Sequence, residues 1–135
     1  MQTNLGNDEM STLLLDTNAL FYYITADAKK FGTRTTQLLD RSDLLYSPLS
    51  IVELKQKMLK GKLRLSSIDS EIFERLGIGA LGFGTEAAEV FELVANDDPF
   101  DNMLLAQAKQ LKVKFLTADM KILRLGLDFV LDLTD

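Results

Sequence analysis

Thr12-Leu13-Leu14-Leu15-Asp16-Thr17-Asn18 decides how the rest of the chain is read. Three consecutive leucines without an alternating polar residue indicate a strand buried on both faces, as in the middle of a parallel sheet. The run stops at an acid followed by turn-forming residues, and a helix over about Ala19–Thr25 follows. A short apolar strand that turns at once into a helix is the unit from which parallel α/β sheets are built.

The same alternation of short strand and helix recurs along the chain. The pattern predicts a helix from near Thr33 to Arg41 and a second short strand at Leu44-Leu45-Tyr46. Pro48 then opens a helix, a position where proline is tolerated because its missing N–H has no partner to lose. That helix runs to about Lys60 and stops at Gly61. Ser70 to Leu76 is helical, Gly77 to Gly84 surrounds a weak strand at Ala80–Phe83, and Thr85 caps a helix through about Val94. Asp98-Pro99-Phe100-Asp101 opens a strong helix to Leu111. Val113–Leu116 is a strand ending at Thr117, Asp119–Leu125 a short helix and Phe129–Leu133 a final strand. The expectation is an α/β fold, a parallel sheet with helices on both faces. It forms one domain over residues 11–135 behind a polar tail, residues 1–10, with no internal repeat or linker.

Composition narrows the chemistry. The chain has 135 residues, 47% of them hydrophobic and 26% charged, which suits a globular protein. No apolar run approaches the roughly 20 residues of a membrane helix, and residues 1–10 do not resemble a secretory signal, so a cytoplasmic location is expected. There is no Cys and no His. That excludes disulfides, thiolate zinc sites, cysteine nucleophiles, imidazole ligands and the Ser-His-Asp triad. Carboxylates, Lys, Arg, Tyr and hydroxyls remain, and carboxylates are hard oxygen ligands suited to Mg²⁺ or Mn²⁺. The net charge of −5 opposes whole-surface attraction to nucleic acid. However, Lys55, Lys57, Lys60, Lys62 and Arg64 fall in one stretch without an acid. They are candidate contacts for RNA phosphates, or simply a solvated helix face.

The acids fall where a parallel α/β sheet gathers its ligands, outside the carboxyl ends of the strands. Asp16 follows the first strand, Asp119 follows the strand ending at Thr117, Asp98 and Asp101 open a helix, and Glu53 lies one turn into another. Close together they would repel, raise one another's pKa values and favour a divalent cation. Each also has a simpler role. Asp16, Asp98 and Asp119 could cap helices, and Glu53 could be solvated or pair with Lys57 at i+4.

In this order the blocks resemble the PIN-domain family, and within it the VapC-type toxin ribonucleases. The first block is Leu13-Leu14-Leu15-Asp16-Thr17-Asn18-Ala19-Leu20. The second is Ser47-x-x-Ser50-x-x-Glu53-Leu54 followed by Lys60-Gly61-Lys62-Leu63. The third is Asp98-Pro99-Phe100-Asp101 continuing to Leu104-Leu105-Ala106-Gln107-Ala108, and the fourth Phe115-Leu116-Thr117-Ala118-Asp119. The resemblance spans Leu13 to nearly the C-terminus. It implies a three-layer α/β/α sandwich around a parallel sheet of four or five strands. It also implies a catalytic and metal-binding quartet of Asp16, Glu53, Asp101 and Asp119. Asp16 and Asp101 would be the principal Mg²⁺ or Mn²⁺ ligands, with Thr17, Thr117 and Asp98 in support.

The implied reaction is hydrolysis of an RNA phosphodiester by metal-activated water. A homodimer and a small antitoxin filling the groove are the implied partners. Of Phe21, Tyr22 and Tyr23, at least one should belong to the core, while a Tyr at the groove could stack a base or pack an antitoxin segment.

Two positions depart from the family pattern, which often reads H-x-D-P-F-D-R. Asn96 and Asn102 stand where it has His and Arg. This keeps open a catalytically silent PIN-like module that binds protein or RNA. A haloacid-dehalogenase-like phosphatase also begins with a strand and an aspartate, but it needs a second Asp where this chain has Asn18. A response-regulator receiver needs an acid pair and a central phosphoacceptor that the arrangement does not supply.

Overall fold

A computed structural model describes residues 11–65, 67–94 and 97–135. Five strands form one sheet: β1 (Ser11–Leu15), β2 (Ser42–Tyr46), β3 (Gly79–Ala80), β4 (Lys114–Thr117) and β5 (Val130–Asp132). Their order is β3-β2-β1-β4-β5, and every neighbouring pair is parallel. From β1 the chain builds two strands to one side, then crosses to the other side for β4 and β5. The point where strand order reverses therefore lies between β1 and β4, where a cleft opens at the carboxyl ends.

The helices are α1 (Thr17–Ile24), α2 (Thr33–Asp40), α3 (Pro48–Leu59), α4 (Ser70–Arg75), α5 (Thr85–Glu89), α6 (Pro99–Leu111) and α7 (Met120–Leu123). A short 3₁₀ turn at Ala28–Lys30 lies between α1 and α2. Strand pleating divides the core. Leu13 and Leu15 face one layer with Ala19, Leu20, Leu39, Leu54 and Phe73, from α1 to α4. Leu14 faces the other with Leu104, Leu105 and Ala108 of α6 and Ile122 of α7. All three leucines are fully buried, each contributing about 1.5–3 kcal/mol. This is the expected α/β/α sandwich, with five strands.

Local boundaries depart from the sequence pattern where long-range contacts intervene. The third strand is Gly79–Ala80 rather than Ala80–Phe83. It pairs with Leu45 and Tyr46, and its partner strand ends there as Ser47 caps α3, so the chain has nothing left to pair with. The helix opened at Thr85 ends at Glu89 rather than near Val94, and Gly84, not Thr85, is its N-cap residue. Val94 instead gives its N–H to the Asn102 side chain at 3.0 Å, a tertiary bond that draws this segment against α6.

Gly32, ahead of α2, fits under the chain end. Its N–H reaches the Leu133 carbonyl at 2.9 Å, and Thr35 N–H reaches Asp135 O at 3.0 Å. A Cβ at position 32 would collide with the backbone of Thr134 and Asp135.

Candidate active site

Asp16 stands at the N-cap of α1, directly after β1. Its N–H bonds to Leu116 O of β4 at 3.1 Å, which ties the two sides of the switch point together. Each carboxylate oxygen has a protein donor: Ala19 N–H to Oδ1 at 2.7 Å and Thr117 Oγ1 to Oδ2 at 2.5 Å. Thr117 Oγ1 in turn accepts the Asp119 N–H at 3.0 Å. One hydroxyl thus couples Asp16 to the backbone that presents Asp119.

Burial raises the Asp16 carboxyl from 3.8 to about 6. The Thr117 and Ala19 hydrogen bonds pull it down, while the negative charges of Asp101 and Glu53 push it up further. Asp101 and Glu53, 85 and 37 residues along the chain, are therefore close enough to disfavour charge on Asp16. Asp101 lies in the first turn of α6. Glu53 is half-buried on α3 and accepts the Thr17 hydroxyl at 2.6 Å; among the described residues it forms no ion pair with Lys57.

Asp101 and Asp119 line one open basin of about 590 Å³ with Asp97, Asp98 and Lys121. Asp98 also caps α6 through Phe100 N–H at 2.9 Å, and Asp119 caps α7 through Lys121 N–H at 2.8 Å. The capping and basin positions coexist, because a helix that starts at the sheet's carboxyl edge points its first turn into the cleft. Lys121 and Asp97 were not among the sequence candidates. The available signal for Lys121 was its place two residues after Asp119, inside the same turn.

Among the described residues no three acidic side chains converge tightly enough to enclose an ion by themselves. The donors explain why. Asp16 is held by Ala19 and Thr117, Glu53 by Thr17 and Asp119 by its own helix, so repelling carboxylates sit apart on separate supports. The donor set fits a hard cation bound through one or two carboxylates with waters completing its shell, the usual mode for Mg²⁺.

The remaining sequence candidates are more dispersed. Asn102 is buried, donates to Asp98 O at 3.0 Å and accepts Val94 N–H at 3.0 Å, so it acts as a clamp at the start of α6. Asn96 lies outside the described residues. Lys55, Lys60, Lys62 and Arg64 are exposed and Lys57 half-buried. Lys55 and Lys57 lie within about a turn of Glu53. Lys60 is about 10 Å farther along the helix axis at 1.5 Å per residue, and Lys62 and Arg64 follow it. Phe21, Tyr22 and Tyr23, on α1, pack against the core. Tyr22 and Tyr23 line a separate hollow with Phe31 and Asp27 rather than the acidic basin.

The PIN domain family model matches residues 13–127. Three solved structures are similar in fold. A VapBC2 complex from Rickettsia felis bound to a DNA fragment from its promoter has a TM-score of 0.63 at 13% identity, covering 90% of this chain and 98% of that one. A DNA-bound VapBC from Salmonella typhimurium has 0.61 at 17%, covering 91% and 98%. A toxin-antitoxin complex from Klebsiella pneumoniae has 0.57 at 17%, covering 88% and 95%. No curated protein matches the chain in sequence.

Proposed function

The chain belongs to the PIN domain family, and from that premise we propose that it is a metal-dependent endoribonuclease acting as the toxin of a type II toxin-antitoxin pair. The observation that carries this reading is a buried carboxylate, Asp16, at the β1–β4 switch point, with the charges of Asp101 and Glu53 pressing on it. Accumulated negative charge in a cleft is costly for a fold unless a cation is to be held there.

Asp16 and Asp101 would hold Mg²⁺ or Mn²⁺, with Glu53 and Asp119 bound directly or through water. When bound, the ion supplies a Lewis acid for the phosphodiester and lowers the pKa of the attacking water. The chain's own residues prepare the site. Thr117 fixes the Asp16 carboxylate and Thr17 fixes that of Glu53. Lys121, which lines the basin, would attract a phosphate. Lys55 and Lys57 extend this attraction along α3 toward Lys60, Lys62 and Arg64. RNA is the substrate in this reading. An antitoxin is the partner, supported by the toxin-antitoxin assemblies among the structures of similar fold, and the working unit is a homodimer in the cytoplasm. Among the described residues no helix is long and apolar enough to cross a membrane.

A catalytically silent module is the second reading, kept open by Asn96 and Asn102, which stand where the family often has His and Arg. Cleavage of mixed RNA with Mg²⁺ or Mn²⁺, with and without EDTA, separates the two. The nuclease reading expects metal-dependent cleavage that falls by several orders of magnitude in Asp16→Asn and Asp101→Asn while the fold persists. Cleavage unaffected by EDTA, or no cleavage with either metal, contradicts it.

A further inference from the structure

We propose that Ser50, a residue outside the acidic quartet, is a positioning residue that orients Glu53 through the Thr17 hydroxyl. The proposal rests on reading Glu53 as a site acid.

Ser50 is fully buried in the first turn of α3, and Thr17, at the start of α1, is almost so. Their hydroxyl oxygens are 2.9 Å apart, and Thr17 Oγ1 donates to Glu53 Oε1 at 2.6 Å. A threonine hydroxyl has one proton. That proton is committed to Glu53, so the proton between the two hydroxyls must come from Ser50. The bonds therefore run in one direction, from Ser50 to Thr17 to Glu53. Among the described residues Ser50 Oγ has no other side-chain or backbone partner.

This arrangement differs from ordinary helix packing in two ways. Ser50 lies three residues before Glu53 on the same helix and nevertheless reaches it through a residue of α1. An accepted bond from Ser50 also fixes the rotation of the Thr17 hydroxyl, so its proton stays aimed at Glu53 rather than sampling other orientations. Hydrogen bonds in such a buried chain reinforce one another. Removing the first link leaves the second free to turn.

A double-mutant cycle tests this, using Ser50→Ala, Thr17→Val and their combination, with Ser50→Cys as a variant whose somewhat larger thiol still fills the site but donates only weakly. The first readout is the Glu53 side-chain rotamer distribution in metal-free protein, from three-bond NMR couplings. Wild type should show one dominant rotamer, and averaging should appear in Ser50→Ala, Ser50→Cys and Thr17→Val. In the Thr17→Val background, adding Ser50→Ala should change nothing more.

The second readout is Mn²⁺ affinity by calorimetry. Ser50→Ala should lower it by about tenfold in the Thr17 background, within the usual range for a residue supporting a ligand, and by less than about twofold once Thr17 is Val. Should Ser50→Ala fail to fold, Ser50→Cys and its Thr17→Val combination carry the same comparison. Wild-type Glu53 order in both Ser50 variants overturns the proposal, as does a Ser50 effect of equal size in either background. Absence of Mn²⁺ binding in wild type would refute the proposed function instead, and the rotamer comparison would still decide the relay.

Discussion

Thr117 Oγ1 donates to Asp16 Oδ2 at 2.5 Å, a buried bond between side chains 101 residues apart that joins the ends of β4 and β1. It crosses the switch point of the sheet and helps hold a negative charge where burial disfavours one.

Thr117→Val keeps the shape and removes the donor. Because this bond lowers the Asp16 pKa, its loss should raise that pKa above about 6 and move the rising limb of any pH–activity profile to higher pH. The half-buried Asp119 N–H also loses its acceptor, and the loss of one such hydrogen bond costs about 1 kcal/mol. A pH–rate profile with thermal melts checks both. An unchanged profile would mean that Thr117 does not tune Asp16.

Asp16→Asn should change stability in a pH-dependent way. The folded-state pKa of Asp16 lies above its unfolded value, about 6 against 3.8. Its stabilising contribution is therefore fully present below pH 3.8 and lost as pH rises through about 6. Above that, a metal-free fold bears on the order of 3 kcal/mol from this charge. Relative to wild type, metal-free Asp16→Asn should gain stability from pH 4 to pH 8, read as the difference in Tm between the two. A difference that stays flat or shrinks contradicts the assignment.

Asn102→Arg restores the residue usual in the family and should still harm this protein. Asn102 is 1% exposed and bridges Val94 N–H and Asp98 O. A larger charged side chain there breaks the clamp and overfills the site, costing about 2 kcal/mol or more. Urea unfolding measures the cost, and a variant as stable as wild type would show that the clamp is dispensable.

Gly32→Ala probes the closure of the fold far from the acids. A methyl would strike the Thr134–Asp135 backbone, so relief must come by moving the chain end off α2. We expect a loss of about 1–3 kcal/mol with RNA cleavage at permissive temperature unchanged. Wild-type stability would rule out the close approach.

The parts of the fold legible in the sequence were those decided locally. Leu13-Leu14-Leu15 reads as a doubly buried strand from its unbroken apolar run, and Asp98-Pro99 as a helix start from a cap followed by proline. Asp16, Asp98, Asp101 and Asp119 were visible because each follows a strand or opens a helix, and Glu53 through its motif with Ser47 and Ser50, although a capping role and a place at the cleft look the same in sequence. What stayed hidden depends on distant partners. After α5 ends, Val94 is held by the Asn102 side chain of α6, and β3 is short because β2 stops at Tyr46. Ser50 shares a motif with Glu53, yet only the packing of α1 against α3 puts Thr17 between them. The contact of Gly32 with Asp135 joins residues about a hundred positions apart, and no local pattern announces it.

In the proposed function, the carboxylates around Asp16 are neutralised by a divalent cation. Calorimetric titration of Mn²⁺ into wild type and Asp16→Asn at pH 7.5 tests it most directly. Saturable binding to wild type that is lost in Asp16→Asn is the predicted result. Equal binding by both proteins, or binding by neither, would contradict it.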